Sequence, residues 1–100
     1  AVISKEHRGI SVINAAKIGH LEIVQALLAN GAVISEDDRG TALTWAADEG
    51  HLEIVQALLA NEAVISEECR GRAIIIAAKK GHLMIVKALL ALYMTNIELI

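Results

Sequence analysis

A twelve-residue stretch that occurs twice without change constrains this chain more than any other feature. Residues 19–30 read GHLEIVQALLAN and return unchanged as residues 50–61. A third copy begins at Gly81 and differs at only two of its first eleven positions. The spacing is 31 residues each time, and a fixed period of this length is typical of stacked supersecondary units. We therefore expect one repeat domain over residues 1–100, built from repeats 1–31, 32–62 and 63–93.

Each repeat carries the signals for two helices, helix A and helix B. A serine followed by acidic residues (Ser4, Ser35 and Ser66) is a typical start, because its hydroxyl accepts a bond from a free backbone N–H. A glycine at position 19, 50 or 81 is a typical helix end. Leucine, isoleucine and valine in the repeated stretch form a wide apolar arc on helix B. The predicted helices are 5–18, 20–30, 36–49, 51–61, 67–80 and 82–93.

The end of the chain departs from this pattern. Asn30-Gly31 and Asn61 are suitable stops for the first two helices B, but Leu92-Tyr93-Met94 offers no stop. The sequence Thr95-x-x-Glu98 has the form of a capping box, which predicts a new helix there. We expect residues 94–100 to be the start of a truncated further repeat or a C-terminal extension. Because the chain opens on Ala1 inside a repeat, we expect it to be a piece of a longer array.

The repeated stretch, with Ala46-Ala47 before it and Leu58-Leu59 within it, resembles the ankyrin repeat. Gly31-Ala32 and Gly40 are similar to the Gly-Ala loop and the later glycine of that family. The resemblance covers about residues 1–93. It implies an all-α, right-handed solenoid of three stacked helix-turn-helix repeats, and an adaptor that binds proteins rather than an enzyme.

Two departures from the family pattern predict a modified repeat. The family repeat is typically about 33 residues long, whereas this repeat is two residues shorter, with the deletions on either side of Gly40. Residues 41–44 read Thr-Ala-Leu-Thr in place of Thr-Pro-Leu-His. We therefore expect a tight link at residues 32–34 without a β-hairpin finger, running directly into a lengthened helix A. The repeated Gly9, Gly40 and Gly71 should then lie inside helix A where a neighbouring repeat approaches closely.

Composition and charge exclude several classes of partner. The chain is 55% hydrophobic, but no uncharged apolar run approaches the roughly 20 residues of a membrane-spanning helix. Net charge is −3, distributed as +1 over residues 1–31, −6 over 32–62 and +3 over 63–93, with Glu98 completing the total. An acidic middle is a poor footprint for nucleic acid. One cysteine rules out an internal disulfide and favours a reducing, cytoplasmic location.

The residues with reactive or metal-binding side chains do not form a recognisable site. His20, His51 and His82 recur at the repeat spacing, which puts them roughly 8–10 Å apart in stacked helices, too far to share one metal. We expect them to hydrogen-bond the turn between the helices. Cys69 lacks a nearby base and is expected to be a surface thiol. The acidic residues 36–38 lack the glycine and spaced ligands of a calcium loop. No cofactor, metal or catalysis is predicted.

The positions at which the copies differ indicate where a partner binds. They are His7/Asp38/Cys69, Ile10/Thr41/Arg72, Asn14/Trp45/Ile76 and Ile18/Glu49/Lys80, which follow one face of helix A. We call this face the variable stripe. Trp45 is the only tryptophan, and either it fills a gap between repeats or it anchors a partner. The predicted partner-binding residues are Asn14, Lys17, Asp38, Thr41, Trp45, Asp48, Glu49, Arg72, Ile76 and Lys79.

Two functions remain open from the sequence. The first is recognition of a protein partner on a concave surface formed by the helices A, a use typical of such arrays. The alternating charge would favour a partner with a basic centre and acidic ends. The second is structural, in which the apolar end faces of repeats one and three stack copies end to end. Sedimentation at several concentrations separates them, because a binding module with covered ends stays a monomer.

Overall fold

The computed structural model describes residues 4–29, 34–60 and 65–98, and for residues 92–98 it describes the backbone alone. All regular structure within these residues is α-helical. The helices pair within each repeat, and the described part contains no strand. The six helices are α1 Lys5–Ile18, α2 Leu21–Leu28, α3 Glu36–Glu49, α4 Leu52–Ala60, α5 Glu67–Lys80 and α6 Leu83–Glu98.

The helices A (α1, α3 and α5) begin and end where the sequence predicts. The hydroxyls of Ser4, Ser35 and Ser66 accept hydrogen bonds from the backbone N–H three residues later, at 3.2, 3.1 and 3.1 Å. Such caps are worth about 1 kcal/mol each. Since helix α3 already begins at Glu36, no finger projects over residues 36–39. Of the predicted link, residues 32 and 33 lie outside the described residues, and Ile34 is buried.

Three glycines end the helices A in the left-handed conformation. Gly19, Gly50 and Gly81 have φ of 100°, 80° and 78°, a region that side chains with a Cβ rarely adopt. Their N–H groups bond back to Ala15, Ala46 and both Ala77 and Ala78, respectively. The predicted ends of the helices A are confirmed, and each glycine turn leads directly into helix B.

The helices B (α2, α4 and α6) differ from the prediction at their ends. Each begins one residue later than predicted, because the histidine of the Gly-His pair stands before the first turn. The predicted end of the first helix B at residue 30 is wrong, because α2 ends at Leu28 and Ala29 is already extended. The predicted stop at Asn61 lies outside the described residues. At the C-terminus the prediction of a new helix at Thr95 is wrong, since α6 continues unbroken to Glu98. Residues 92–94 contain neither glycine nor proline, so nothing interrupts the backbone hydrogen bonds there.

The core lies at the junctions between repeats. Helix α3 packs against both α1 and α5, and α4 contacts α2 and α6. Alanines dominate the contacts between helices A, where Ala16, Ala46 and Ala47 are fully buried. Small side chains let these helices approach closely. The larger buried side chains come from both the helices A and the helices B and belong to one core cluster; they are Val12, Val24, Leu43, Ile54, Val55, Leu58, Ile85 and Leu89.

The interior glycines of helix A mark the closest approach. Gly40 is buried inside α3, as the repeated glycines predict. A Cβ on it would lie 3.1 Å from the Cβ of Cys69 in the next repeat and would overlap the thiol. At Gly9 a Cβ would overlap the carboxylate of Asp38. A Cβ on Gly71, by contrast, would meet no described atom within 4 Å beyond its own stretch of helix, because the described residues place no further repeat beside it.

Candidate partner-binding surface

The ten predicted partner-binding residues lie on α1, α3 and α5, and none of them is buried. Six are exposed and four are half-buried, so their side chains are available to a second molecule. The four half-buried residues belong mainly to the middle repeat. The exposed set is Asn14, Lys17, Thr41, Glu49, Arg72 and Lys79, and the half-buried set is Asp38, Trp45, Asp48 and Ile76.

Trp45 joins the first and second repeats. The Lys17 ammonium lies 4.3 Å from the centroid of the Trp45 ring. A cation over an indole face is held by the ring quadrupole, an interaction worth about 0.5–1 kcal/mol when exposed. The indole is therefore oriented by repeat one while it remains half-buried. The two roles expected for Trp45, filling a gap between repeats and anchoring a partner, are compatible, because the ring contacts a neighbouring repeat and is still partly exposed to solvent.

A cleft opens beside Trp45, between α3 and α5. It is lined by Gly40, Thr41, Thr44, Trp45, Cys69 and Arg72 and has a volume of about 220 Å³. Sites for drug-sized ligands usually measure about 300–1,000 Å³. The cleft is thus sized for one protruding side chain rather than for a small-molecule ligand. Gly40 and Cys69 both line it.

The charged side chains around the cleft are loosely held. Arg72 donates to Glu68 one helical turn away at 2.7 Å, and both side chains are mostly exposed. Lys80 lies 3.4 Å from the Asp48 carboxylate and links α5 to α3. Exposed pairs of this kind contribute about 0–1 kcal/mol, so either cation can exchange its partner at little cost. Within the described residues, Asp48 is thereby partly neutralised, whereas Glu49 remains exposed.

Two residues of the variable stripe have a structural role. Asp38 and Cys69 occupy the same register position, and each lies over the interior glycine of the preceding repeat. Cys69 is half-buried and packs against the hydrophobic core. The thiol is thus only partly exposed, because the sulfur lies against Gly40 at the edge of the cleft. The residue that the sequence interpretation missed is Thr44, which lines the cleft although its position was not included in the stripe.

The repeated histidines connect successive repeats. The Nε2 atom of His51 lies 3.3 Å from the carbonyl oxygen of Lys17, and that of His82 lies 3.2 Å from the carbonyl oxygen of Asp48. Since a carbonyl oxygen only accepts, Nε2 is the donor in each of these bonds. The histidine side chains do form hydrogen bonds, but the predicted partner is wrong: His51 and His82 bond the last turn of the preceding helix A and not the turn between helices. The described residues contain no group of three or more His, Cys, Asp or Glu side chains that could hold a metal ion.

Paired helices stacked at a fixed period, each contacting its neighbours, define a solenoid repeat protein. A family model described as ankyrin repeats matches residues 12–99 in three copies. The chain therefore belongs to the ankyrin repeat family. No curated protein matches it. Ankyrin repeats are generally protein–protein interaction modules and the family is typically non-enzymatic. Among the described residues, no helix is both long enough and apolar enough to cross a membrane.

Proposed function

We propose that this chain binds a protein partner along the concave surface formed by α1, α3 and α5, with Trp45 as the anchor. The observation that carries the proposal is the position of Trp45 at the edge of the cleft shared with Thr41 and Arg72. Tryptophan and arginine are enriched among the residues that dominate binding energy. The cleft is the place for a partner side chain, beside both Trp45 and Arg72.

Pre-orientation of the indole supports the same site. A side chain that is already held loses less conformational entropy on binding than one that moves freely. Lys17 holds the Trp45 ring at 4.3 Å from its centroid and leaves part of it accessible. The fold thus reduces the entropic cost of using this residue as an anchor.

Charge supports a particular kind of partner. The middle repeat carries a net −6 between repeats of +1 and +3, and Glu49 extends that charge to the exposed face. Arg72 and Lys79 bound the surface on one side, with Lys17 on the other. A partner segment with a basic centre and acidic ends would match this order, and complementary charge chiefly raises the association rate.

The test compares Trp45→Ala with Gln56→Ala, an exposed residue on α4. Each variant is measured for binding to the partner recovered with the unmodified chain, and circular dichroism verifies that each is folded. We expect Trp45→Ala to weaken binding by about 2 kcal/mol, roughly 30-fold in Kd, and Gln56→Ala to leave Kd unchanged. Equal, small losses for both folded variants would place the site elsewhere.

A second measurement tests the charge order. Glu49→Lys reverses an exposed charge beside the anchor, and Glu53→Lys makes the same change on the helix B side. We expect only Glu49→Lys to lower the association rate, and the difference should shrink as salt rises, because charges about 10 Å apart are screened at 0.1 M. An equal fall in association rate for both variants would mean that the net charge of the chain, and not the position of Glu49, determines how fast the partner binds.

A further inference from the structure

An exposed isoleucine, Ile18, occupies a position that stays open even where a repeat has a neighbour on each side. Ile18 is 64% exposed. Its equivalent in the middle repeat is Glu49, which is exposed although α3 packs against both α1 and α5. Ile23 behaves differently, since it is 49% exposed while its equivalent Ile54 is only 2% exposed. The exposure of Ile18 therefore belongs to its register position and not to its place in the array.

A second isoleucine on α1 shares this property. Ile10 is 56% exposed, and its equivalent in the middle repeat, Thr41, is exposed as well. Ile10 and Ile18 are eight residues apart, which places them on the same side of the helix. Lys17, next to Ile18, lies over the ring of Trp45. The two isoleucines thus add apolar surface on the repeat-one side of the proposed anchor.

The register position of Ile18 carries a different chemistry in each repeat. Ile18, Glu49 and Lys80 each stand directly before the glycine that ends a helix A, and all three are exposed. We call these three residues the glycine-end row. Neighbouring packed helices are roughly 8–10 Å apart. A segment that crosses the helices A along this row therefore meets an apolar, an acidic and a basic group at about that interval.

The groups of the glycine-end row are open to a second molecule. Among the described residues, Glu49 takes part in no ion pair. Lys80 lies 3.4 Å from the Asp48 carboxylate, but its side chain is 51% exposed, so it can exchange this partner at little cost. On repeat one the Lys17 ammonium already lies over the Trp45 ring. The group left to face a partner there is the isoleucine rather than a cation.

We propose that the partner binds through an extended segment in which an apolar, a basic and an acidic residue follow one another at intervals of three. The apolar residue would lie on Ile18, the basic residue would face Glu49, and the acidic residue would face Lys80. An extended chain advances about 3.3 Å per residue, so three residues span about 10 Å, the interval between neighbouring helices A.

This inference rests on the proposed function and narrows its partner. It keeps the basic centre and the acid opposite repeat three, and it places an apolar residue instead of an acid opposite repeat one. A partner helix would need about seven residues for the same interval, and it is about 10 Å wide. The cleft between α3 and α5 has room for one side chain only, which favours the extended segment.

Selection from a phage-displayed library of random peptides of about 12 residues, on the immobilised 100-residue chain, tests the spacing. The enriched peptides should share the pattern apolar-x-x-basic-x-x-acidic, in either chain direction. Trp45→Ala should weaken their binding, because the apolar residue lies beside the anchor. Ile18→Ser should remove the preference for an apolar residue at that position. Ile23→Ser, the same change at an exposed position of α2, is the control and should keep the pattern.

Synthetic peptides that differ only in the sign of one charge test the row itself. The wild-type chain should bind the peptide with a basic centre about fivefold more tightly than the one with an acidic centre, the upper end for an exposed ion pair. Glu49→Lys should reverse this preference, and Lys80→Glu should reverse the preference at the acidic position. Glu53→Lys and Lys87→Glu make the same changes of net charge on the helices B and should keep both preferences.

Several results would overturn the inference. They are enriched peptides without the pattern, a spacing of seven residues that indicates a helix, and a centre preference that Glu49→Lys leaves unreversed. If Glu49→Lys fails to fold by circular dichroism, Glu49→Gln replaces it and should abolish the preference. A library without enrichment also counts against the inference, but it leaves the proposed site open to a folded partner. Reversal by Glu49→Lys without any effect of Trp45→Ala would keep the row and remove the proposed anchor.

Discussion

Residues 19–30 and 50–61 are identical in sequence, yet they lie in different environments. His51 bonds the carbonyl of Lys17, whereas His20 is exposed. Ile54 and Leu58 are buried, whereas Ile23 is exposed and Leu27 only half-buried. The difference comes from the neighbour on one side, since repeat two has repeat one before it. In this fold a side chain's contribution to stability therefore depends on its junction more than on its own helix.

The strongest test of this contrast is to truncate the same side chain in both copies. Ile54→Ala should lower the free energy of unfolding by about 2–5 kcal/mol, since it leaves a cavity in a packed junction. Ile23→Ala should change it by about 0.5 kcal/mol, as for other surface positions. Urea denaturation at low protein concentration measures both. Similar losses would mean that the helix itself, rather than the junction, holds this isoleucine.

The interior glycines should respond with opposite signs. Gly40→Ala inserts a methyl against Cys69 and should destabilise by about 1–3 kcal/mol. Gly71→Ala meets no described atom within 4 Å, so it should stabilise by about 0.5–1 kcal/mol through helix propensity. Thermal melting shows the sign of each.

A double-mutant cycle isolates the contact at Gly40. In a Cys69→Ala background the closest atom, the thiol sulfur, is gone, so Gly40→Ala should cost less than it does in the wild type. An unchanged cost would show that the backbone approach, and not the thiol, opposes the methyl. A higher melting temperature for Gly40→Ala alone would contradict the close-approach interpretation altogether.

The histidine bonds should give a smaller difference. His51→Ala removes the hydrogen bond to Lys17 and should lower the free energy of unfolding by about 1 kcal/mol. His20→Ala, which has no preceding repeat within the chain, should stay within about 0.5 kcal/mol of wild type. Equal losses of stability in the two variants would mean that the histidine stabilises its own turn rather than the junction with the preceding repeat.

The smallest expected effect concerns Lys17 and Trp45. Lys17→Met keeps most of the stem and removes the charge over the indole, so it should cost about 0.5–1 kcal/mol. Trp45 is the only tryptophan, so its fluorescence reports the change at that site. The control is Lys79→Met, the same register position in repeat three, which should leave both the emission and the stability unchanged.

The features predicted well from the sequence are those that depend on local signals. The Ser-acid starts and the Gly ends define α1, α3 and α5 with the predicted bounds, because caps and left-handed glycines act within one turn. The end of α6 was mispredicted for a related reason. Thr95 and Glu98 match a capping pattern, but a helix without a stop continues through such a pattern when its hydrogen bonds remain intact.

The features that the sequence did not reveal depend on one repeat lying beside another. The position of Cys69 over Gly40 and the inclusion of Thr44 in the cleft follow from the packing of α5 against α3. No local signal within a single 31-residue repeat predicts how the helices of two repeats pack. The same holds for the Lys17–Trp45 contact, since the two residues are 28 positions apart and meet only once the repeats are stacked.

The position of α3 between α1 and α5 has a consequence for how the native state opens. In a linear array, an end repeat can unfold by losing one junction, whereas a middle repeat can unfold only by losing two. Backbone amides of α3 should therefore exchange with solvent deuterium only through global unfolding, while those of α1 and α6 should exchange sooner through local opening at the ends. A protease would be expected to shorten this molecule from its termini, one repeat at a time.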